Sequence, residues 1–273
     1  MLADERKYQI LEMLKKHKSL SVKDLCDFLD ASESTIRRDL RELEKNGRLK
    51  RTHGGAILKE LYTLEYEENV KQKINKCLDE KKEIASIAFT LIKENISIAI
   101  DAGTTTLELA KLIGQSELAL TVVTNSSDIS NALSINPNCV IYLVGGKLKN
   151  NTLASVGNYS VDFIKTFNVQ IAFIGTNGLS IEKGLTTPDL EEAQIKKAMI
   201  SISNNVFVLA DSSKFGLVAL VKISDFSQID AIITDSKVEN GTLKEYANLD
   251  INIITKKRRW RIDYYCYFKS CNR

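Results

Sequence analysis

At 273 residues the chain is long enough for two domains with separate cores. It is 44% hydrophobic and 27% charged, which is ordinary for a globular protein, and no apolar run reaches the roughly 20 residues of a membrane-spanning helix. The charged start, Met1 to Arg6, lacks the apolar stretch of a signal peptide, so a cytoplasmic protein with no membrane partner is expected. Cys26, Cys77, Cys139, Cys266 and Cys271 form no C-x-x-C pair. They are expected as reduced thiols, with no disulfide framework and no metal site. The net charge of +3 is spread unevenly. Residues 34–51 carry seven Lys and Arg against three Asp and Glu, residues 61–255 carry 17 against 23, and residues 256–273 carry seven against one. A basic footprint ahead of an acidic body suits a nucleic-acid-binding head joined to a second, sensing domain.

In chain order, Asp4 to about His17 reads as a first helix with Ile10, Met13 and Leu14 inward. Ser21 to Leu29 is a second short amphipathic helix, with Val22, Leu25, Cys26 and Leu29 on one face. Asp30-Ala31 turns the chain into Ser32, whose hydroxyl can cap a third helix. In that helix Ile36, Leu40 and Leu43 recur at i, i+4 and i+7 and make one apolar stripe. Ser34, Arg38, Arg41 and Lys45 fall on the opposite side, with Thr35 and Arg37 on the flanks. These hydroxyls and guanidinium groups can bind phosphates and reach base edges. Asn46-Gly47 ends the helix. Residues 48–58 then read as a β-hairpin wing with its turn near Gly54-Gly55. Three helices and a wing make a winged helix–turn–helix. The expected DNA-contacting set is Ser32, Ser34, Thr35, Arg37, Arg38 and Arg41, with Lys50, Arg51 and His53 of the wing. Asp39 lies toward the apolar side, where Arg6 is its expected partner.

Arg6, Ile10, Leu14, Ser32, the run Thr35-Ile36-Arg37-Arg38-Asp39-Leu40 and the wing Arg51-Thr52-His53-Gly54-Gly55-Ala56 resemble the N-terminal signature of the DeoR family of bacterial transcriptional regulators. The resemblance implies operator DNA as a partner.

After a connector, residues 64–93 read as helical, first charged and then apolar at helical spacing. Strands and helices then alternate. Strands are expected at Ile96–Ile100, Leu118–Thr124, Cys139–Val144, Val169–Ile174, Val206–Ala210, Ala231–Thr234 and Ile251–Ile254. Helices are expected from about Leu107, Ser126, Asn158, Leu190 and Val238. Near-continuous β-branched runs separated by helices predict a parallel sheet covered on both faces. The expected organisation is α/β overall: a winged helix–turn–helix over 3–58, a linker helix region over 59–75 and an α/β domain over 76–255. Residues 256–273 form an atypical basic and aromatic tail, to which no function is assigned.

In open α/β sheets, ligands gather at the carboxyl ends of strands, where helix N-termini offer free N–H groups. Four strand ends carry suitable chemistry. Asp101, Gly103, Thr104, Thr105 and Thr106 form a hydroxyl-rich loop opening a helix. Thr124 and Asn125 repeat the arrangement. Gly145, Gly146 and Lys147 allow close backbone approach, and Asp211, Ser213 and Lys214 supply a carboxylate and a cation. Each alone reads first as an N-cap or tight turn; together they suggest a phosphorylated small ligand.

The runs Asp101–Thr106, Val123–Asn125, Val144–Gly146, Ile174–Gly178 and Asp211–Gly216 resemble the sensor domain of DeoR regulators. That resemblance implies a fold related to ribose-5-phosphate isomerase and a sugar-phosphate effector. Gly184 to Ala193 and Ile174 to Leu179 resemble the fructose-operon repressors, whose inducer is fructose 1-phosphate. The expected function is a repressor of a sugar-utilisation operon that acts as a dimer or tetramer, with no cofactor and no catalytic residue. The alternative is an isomerase-like enzyme using Asp101, Asp189, Glu191 or Asp211 as base. The isomerase's paired-aspartate and glycine-rich lysine motifs are absent, and no G-x-G-x-x-G follows a strand to bind NAD.

Overall fold

A computed structural model of the chain describes residues 3–17, 19–45, 49–52, 54–58, 63–64 and 73–256. The chain divides into two compact units, residues 1–63 and 64–273. His53, the Asn46-Gly47 helix end, most of the connector and the tail from residue 257 lie outside the described residues. No helix among the described residues is long and apolar enough to cross a membrane.

In the first unit, helix α1 (Ala3–His17) is followed by strand β1 (Ser19–Ser21), α2 (Val22–Leu29), α3 (Glu33–Lys45) and the hairpin β2 (Leu49–Thr52) and β3 (Gly55–Leu58). A capping box starts α2: Ser21 Oγ accepts from the Asp24 N–H at 3.0 Å, and Asp24 accepts from the Ser21 N–H at 3.1 Å. Asp30, left-handed at φ 44°, makes the tight turn before α3. Ser32 Oγ accepts from the Thr35 N–H at 3.3 Å, as expected of the α3 cap. Ile36, Leu40 and Leu43 are buried with Ile10, Leu14, Leu25 and Leu49 in one cluster. Burying each such side chain contributes roughly 1.5–3 kcal/mol, which is what holds three short helices together.

Strand β1, which sequence periodicity did not suggest, pairs antiparallel with β3 and turns the wing into a three-stranded sheet. It dictates the glycine. A Cβ on Gly55 would lie 1.9 Å from the Leu20 carbonyl oxygen, whereas one on Gly54 would meet nothing. Gly54 serves the turn and Gly55 serves close packing of β3 on β1.

The second unit opens with α4 (Leu78–Phe89), a shorter helix than the 64–93 run expected, and Thr63–Leu64 is extended. A seven-stranded parallel sheet follows, from β4 (Ile96–Ile100), β5 (Leu120–Thr124), β6 (Cys139–Leu143), β9 (Val169–Gly175), β12 (Ser203–Leu209), β14 (Ala231–Ile233) and β15 (Ile253–Ile254). Its spatial order is β15-β14-β12-β9-β4-β5-β6, with every neighbouring pair parallel. Successive side chains alternate between two cores. Ile98, Ile100, Phe173, Phe207 and Leu209 face one, with α4, α5 (Thr104–Gly114) and α6 (Ser127–Leu133). Ala99, Ala172, Ile174, Val206 and Val208 face the other, with α7 (Asn158–Ile164), α8 (Leu190–Ser201) and α9 (Asn240–Ala247). Two buried faces explain the continuous apolar runs.

Five short antiparallel strands were not anticipated: β7 (Lys147–Lys149) with β8 (Ala154–Val156), and β10 (Gly178–Ser180) with β11 (Gly184–Thr187) and β13 (Val221–Ser224). They are too short for alternation to register. The order of the main sheet decides where a ligand can be received. After β4 the chain first builds β5 and β6 on one side, then crosses back to build β9 on the other. The crevice between the carboxyl ends of β4 and β9 is therefore the topological switch point.

Candidate functional site

In the first unit, Ser34, Arg37, Arg38 and Arg41 are exposed on the side of α3 opposite its buried stripe, and Ser32 is exposed at its start. Thr35 is half-buried and shares a hydroxyl contact of 2.8 Å with Ser32. Each guanidinium has a local partner. Arg37 Nε donates to Glu33 at 2.8 Å, Arg38 lies 3.6 Å from Glu42, and Arg41 Nε donates to the Arg37 carbonyl at 3.3 Å. Arg38 is the most open of the paired arginines, its side chain 81% exposed. Arg51 pairs with Glu44 through its backbone N–H at 2.9 Å and its Nε at 2.8 Å, which ties the wing to α3. Of Lys50 only the backbone, in β2, is described. A hydrogen bond from Lys7, and more weakly the charge of Arg38, holds the Glu42 carboxyl below its usual range.

Behind this face, Arg6 Nε donates to Asp39 Oδ2 at 2.5 Å and its Nη2 to Oδ1 at 3.3 Å. Asp39 is buried, so it points into the unit, as its place on the helical wheel requires. The hydrogen bond raises the Arg6 guanidinium further above its ordinary value.

In the second unit a cleft of about 150 Å³ opens at the switch point. Gly103, Thr104 and Thr105 line it from the start of α5. Gly103 is the N-cap and supplies no side-chain acceptor, so the helix that starts at the cleft has no side-chain cap on its first N–H groups. Gly175, Thr176 and Asn177 line it from the end of β9, and Asp211, Ser213 and Lys214 from the end of β12. The surprise is the other lysines. Lys73, Lys76 and Lys81 come from residues around the start of α4, and Lys196 from the middle of α8. Lys196 is buried; it donates to Asp101 Oδ2 and, at 3.1 Å, to the Gly175 carbonyl. Asp101 Oδ1 in turn accepts from the Gly175 N–H at 3.0 Å. This buried pair bridges β4 and β9 where the sheet order reverses. Lys214 lies 3.8 Å from Asp211, whose carboxylate caps a short 3₁₀ turn through the Ser213 N–H at 3.0 Å.

Several residues expected at a ligand make contacts within the fold. Asp101 is buried behind the cleft wall on Lys196. Thr106 is also buried, and its hydroxyl donates to the carbonyls of Asp101 and Gly103 at 2.8 and 3.0 Å. Thr124 is fully buried and accepts from the Ser126 N–H at 3.2 Å. Asn125 accepts from the Ala102 N–H and donates to the Ser155 carbonyl, both at 3.0 Å, which holds the loop that shapes the cleft. Gly146 has φ 146°, and a Cβ there would sit 2.0 Å from Ser160 Oγ. Its close approach is to Ser160 of α7. Gly145 offers its carbonyl to Ser160 at 2.7 Å, and Lys147 is exposed and paired with Glu191 at 2.9 Å.

The carboxylates weighed as catalytic bases are likewise engaged. Asp189 caps α8 through the Glu192 N–H at 2.9 Å and pairs with Lys149 at 3.0 Å. Glu192, unremarkable in the sequence, lines the cleft and accepts from Lys149 and Thr152, both at 2.9 Å. Lys81, Lys196 and Glu192 could not be found by periodicity, since charged residues on amphipathic helices normally face water.

Residues 6–61 match the DeoR-like helix-turn-helix domain, and residues 76–236 match the DeoR C terminal sensor domain. The chain is 36% identical over 254 residues to the HTH-type transcriptional regulator GlpR of Haloferax volcanii, which spans 93% of this chain and 98% of the relative. It is 38% identical to the uncharacterized HTH-type transcriptional regulator FruR of Bacillus subtilis, over 87% and 93%. The HTH-type transcriptional repressor GlcR of Bacillus subtilis is 33% identical over 86% and 89%. A ribose 5-phosphate isomerase A from Methanocaldococcus jannaschii aligns with 51% of this chain and 55% of its own at 18% identity and a TM-score of 0.38. With both domain models matched and relatives similar along nearly their whole length, the chain belongs to the DeoR family of transcriptional regulators.

Proposed function

We propose that the chain represses a fructose-utilisation operon and leaves its operator when fructose 1-phosphate enters the cleft at the switch point. The supporting observation is the cleft itself. Five lysines and the uncapped start of α5 converge on it, in a domain whose overall balance is acidic. A bound phosphate monoester needs both charge neutralisation and N–H donors, and this cleft offers both beside Thr and Asn groups suited to hydroxyls. Thr104, Thr105, Ser213 and Lys214 are the phosphate contacts in this reading, and Asp101, Thr106, Thr124 and Asn125 hold those contacts in place.

Operator DNA is gripped by Ser34, Arg37, Arg38 and Arg41 of α3, with Arg51, Lys50 and His53 of the wing on the backbone. Two copies pair to read two half-sites. A phosphate approaching α3 must displace Glu33 and Glu42 from Arg37 and Arg38, so binding exchanges one ion pair for another. The capping and pairing of Asp189, Glu191 and Asp211, and the burial of Asp101 on Lys196, argue against proton transfer as the domain's task.

The test is a DNA-release titration of operator-bound protein with fructose 1-phosphate and a panel of other sugar phosphates. Fructose 1-phosphate is expected to release wild type at the lowest concentration, while Lys214→Ala binds the operator normally but stays bound. Release by a different sugar phosphate at lower concentration replaces fructose in this reading. Failure of every sugar phosphate to release wild type removes the sensor role.

A further inference from the structure

We propose that Lys81 is an anion clasp that ties ligand binding in the cleft to the segment joining the two units of the chain. The inference rests on the cleft being the effector site. Lys81 projects from the first turn of α4 into the cleft and is 4% exposed. Among the described residues its ammonium makes a single hydrogen bond, to the Lys73 carbonyl at 2.5 Å, and no ion pair. An ammonium carries three N–H donors, so two are left over at the cleft.

Lys196 and Lys214, by contrast, have Asp101 and Asp211 beside them. A buried cation with no carboxylate in direct contact is unfavourable until an anion arrives. Burial pushes the Lys81 ammonium below its usual range, and the nearby Asp211 charge only partly opposes this. The same desolvation strengthens any contact to an entering phosphate.

What Lys81 holds on its other side gives the contact its consequence. The Lys73 carbonyl also accepts the Lys76 N–H at 3.1 Å and so closes the turn over residues 73–77. Cys77, which ends that turn, adopts φ 52°, a left-handed conformation that a side chain does not favour without support. This turn is the first part of the second unit after the connector, and Lys73 and Lys76 themselves line the cleft. One ammonium therefore touches both the ligand and the end of the connector. Anion binding fixes Lys81, Lys81 fixes the turn, and the turn sets where the connector ends. Coupling of this kind is reciprocal, so operator binding alters the same turn and weakens the ligand by the same factor.

The test uses the full chain as wild type, Lys81→Met and Lys81→Arg. Calorimetry with fructose 1-phosphate and with inorganic phosphate reads affinity, and amide hydrogen exchange with and without ligand reads residues 73–81. Wild type should show ligand-dependent protection there. Lys81→Met, which keeps the apolar stem, should bind both probes about tenfold more weakly or worse, the effect of losing one charge-assisted contact. It should also lose the protection and stay on operator DNA, while Lys81→Arg retains all three responses. Wild-type affinity in Lys81→Met would show Lys81 to be only a staple for the turn and overturn the proposal. So would unchanged exchange at 73–81 in ligand-saturated wild type, a measurement that needs no variant to fold. Absence of binding by any phosphate ester to wild type is a different result: it removes the effector reading and this inference with it.

Discussion

Removing the Asp39 carboxylate tests how the recognition helix is held. The side chain of Asp39 is 4% exposed and that of Arg6 is 14% exposed, and the two share a two-pronged contact between α1 and α3. Cutting a buried pair on one side leaves the other charge uncompensated and costs about 3–5 kcal/mol. Arg6 keeps some contact with water, so the lower end applies, about 3 kcal/mol for Asp39→Ala. Arg6→Ala should cost nearly as much. The double variant should be little worse than either single one, because the damage in each is the stranded partner.

Hydrogen exchange of the slowest amides in α1 and α3 reads this directly. A loss of about 3 kcal/mol should speed them roughly 100-fold, with about 1.4 kcal/mol per factor of ten. Operator affinity supplies a second sign. A carboxylate facing DNA would repel phosphate, so its removal would tighten binding. A carboxylate facing the domain loosens α3 when removed and weakens binding. Unchanged exchange together with tighter operator binding in Asp39→Ala would refute the burial argument.

Arg38→Ala should weaken operator binding across sequences and lower the salt slope by about one unit, read by titrations at several salt concentrations. An unchanged slope would place the DNA on another face. Gly55→Ala forces a Cβ against the Leu20 carbonyl, 1.9 Å away, and should destabilise the wing sheet by about 1–3 kcal/mol, whereas Gly54→Ala has open space. Exchange of the β2 and β3 amides distinguishes the two. Asp189→Ala removes the cap of α8 at about 1 kcal/mol. Burial alone would raise the Asp189 carboxyl, but hydrogen bonds from the Glu192 N–H and Lys149 outweigh it and hold the carboxyl below its usual range. A lowered folded-state value means its contribution is fully present above the ordinary aspartate pKa of about 4 and is lost as pH falls through the folded value. Denaturant titrations from pH 7 downward should show a shallower acid loss in the variant, and identical profiles would contradict this.

Much of this protein is written locally. The stripe Ile36, Leu40, Leu43 specifies one face of α3 and leaves Arg38 and Arg41 on the other, because a helix has a single period and every residue's direction follows from its position. Asp39 could be turned inward on the same ground, and Arg6 named as its partner. The apolar runs of β4, β9 and β12 announced strands buried on both faces, and the loops at their ends carried recognisable capping chemistry. Local chemistry could not say which of those loops converge. Thr124 and Asn125 look like ligand groups in the sequence, yet they brace neighbouring backbone, because an oxygen that could serve a ligand can equally serve an N–H.

Lys196 and Asp101 are 95 positions apart and meet only because the sheet order sets β4 beside β9. Lys81 and Lys196 sit on helices, where a lysine normally reaches water. Their burial was decided when those helices packed against the strand ends, since burial belongs to the surface that surrounds a side chain and not to the residue that carries it.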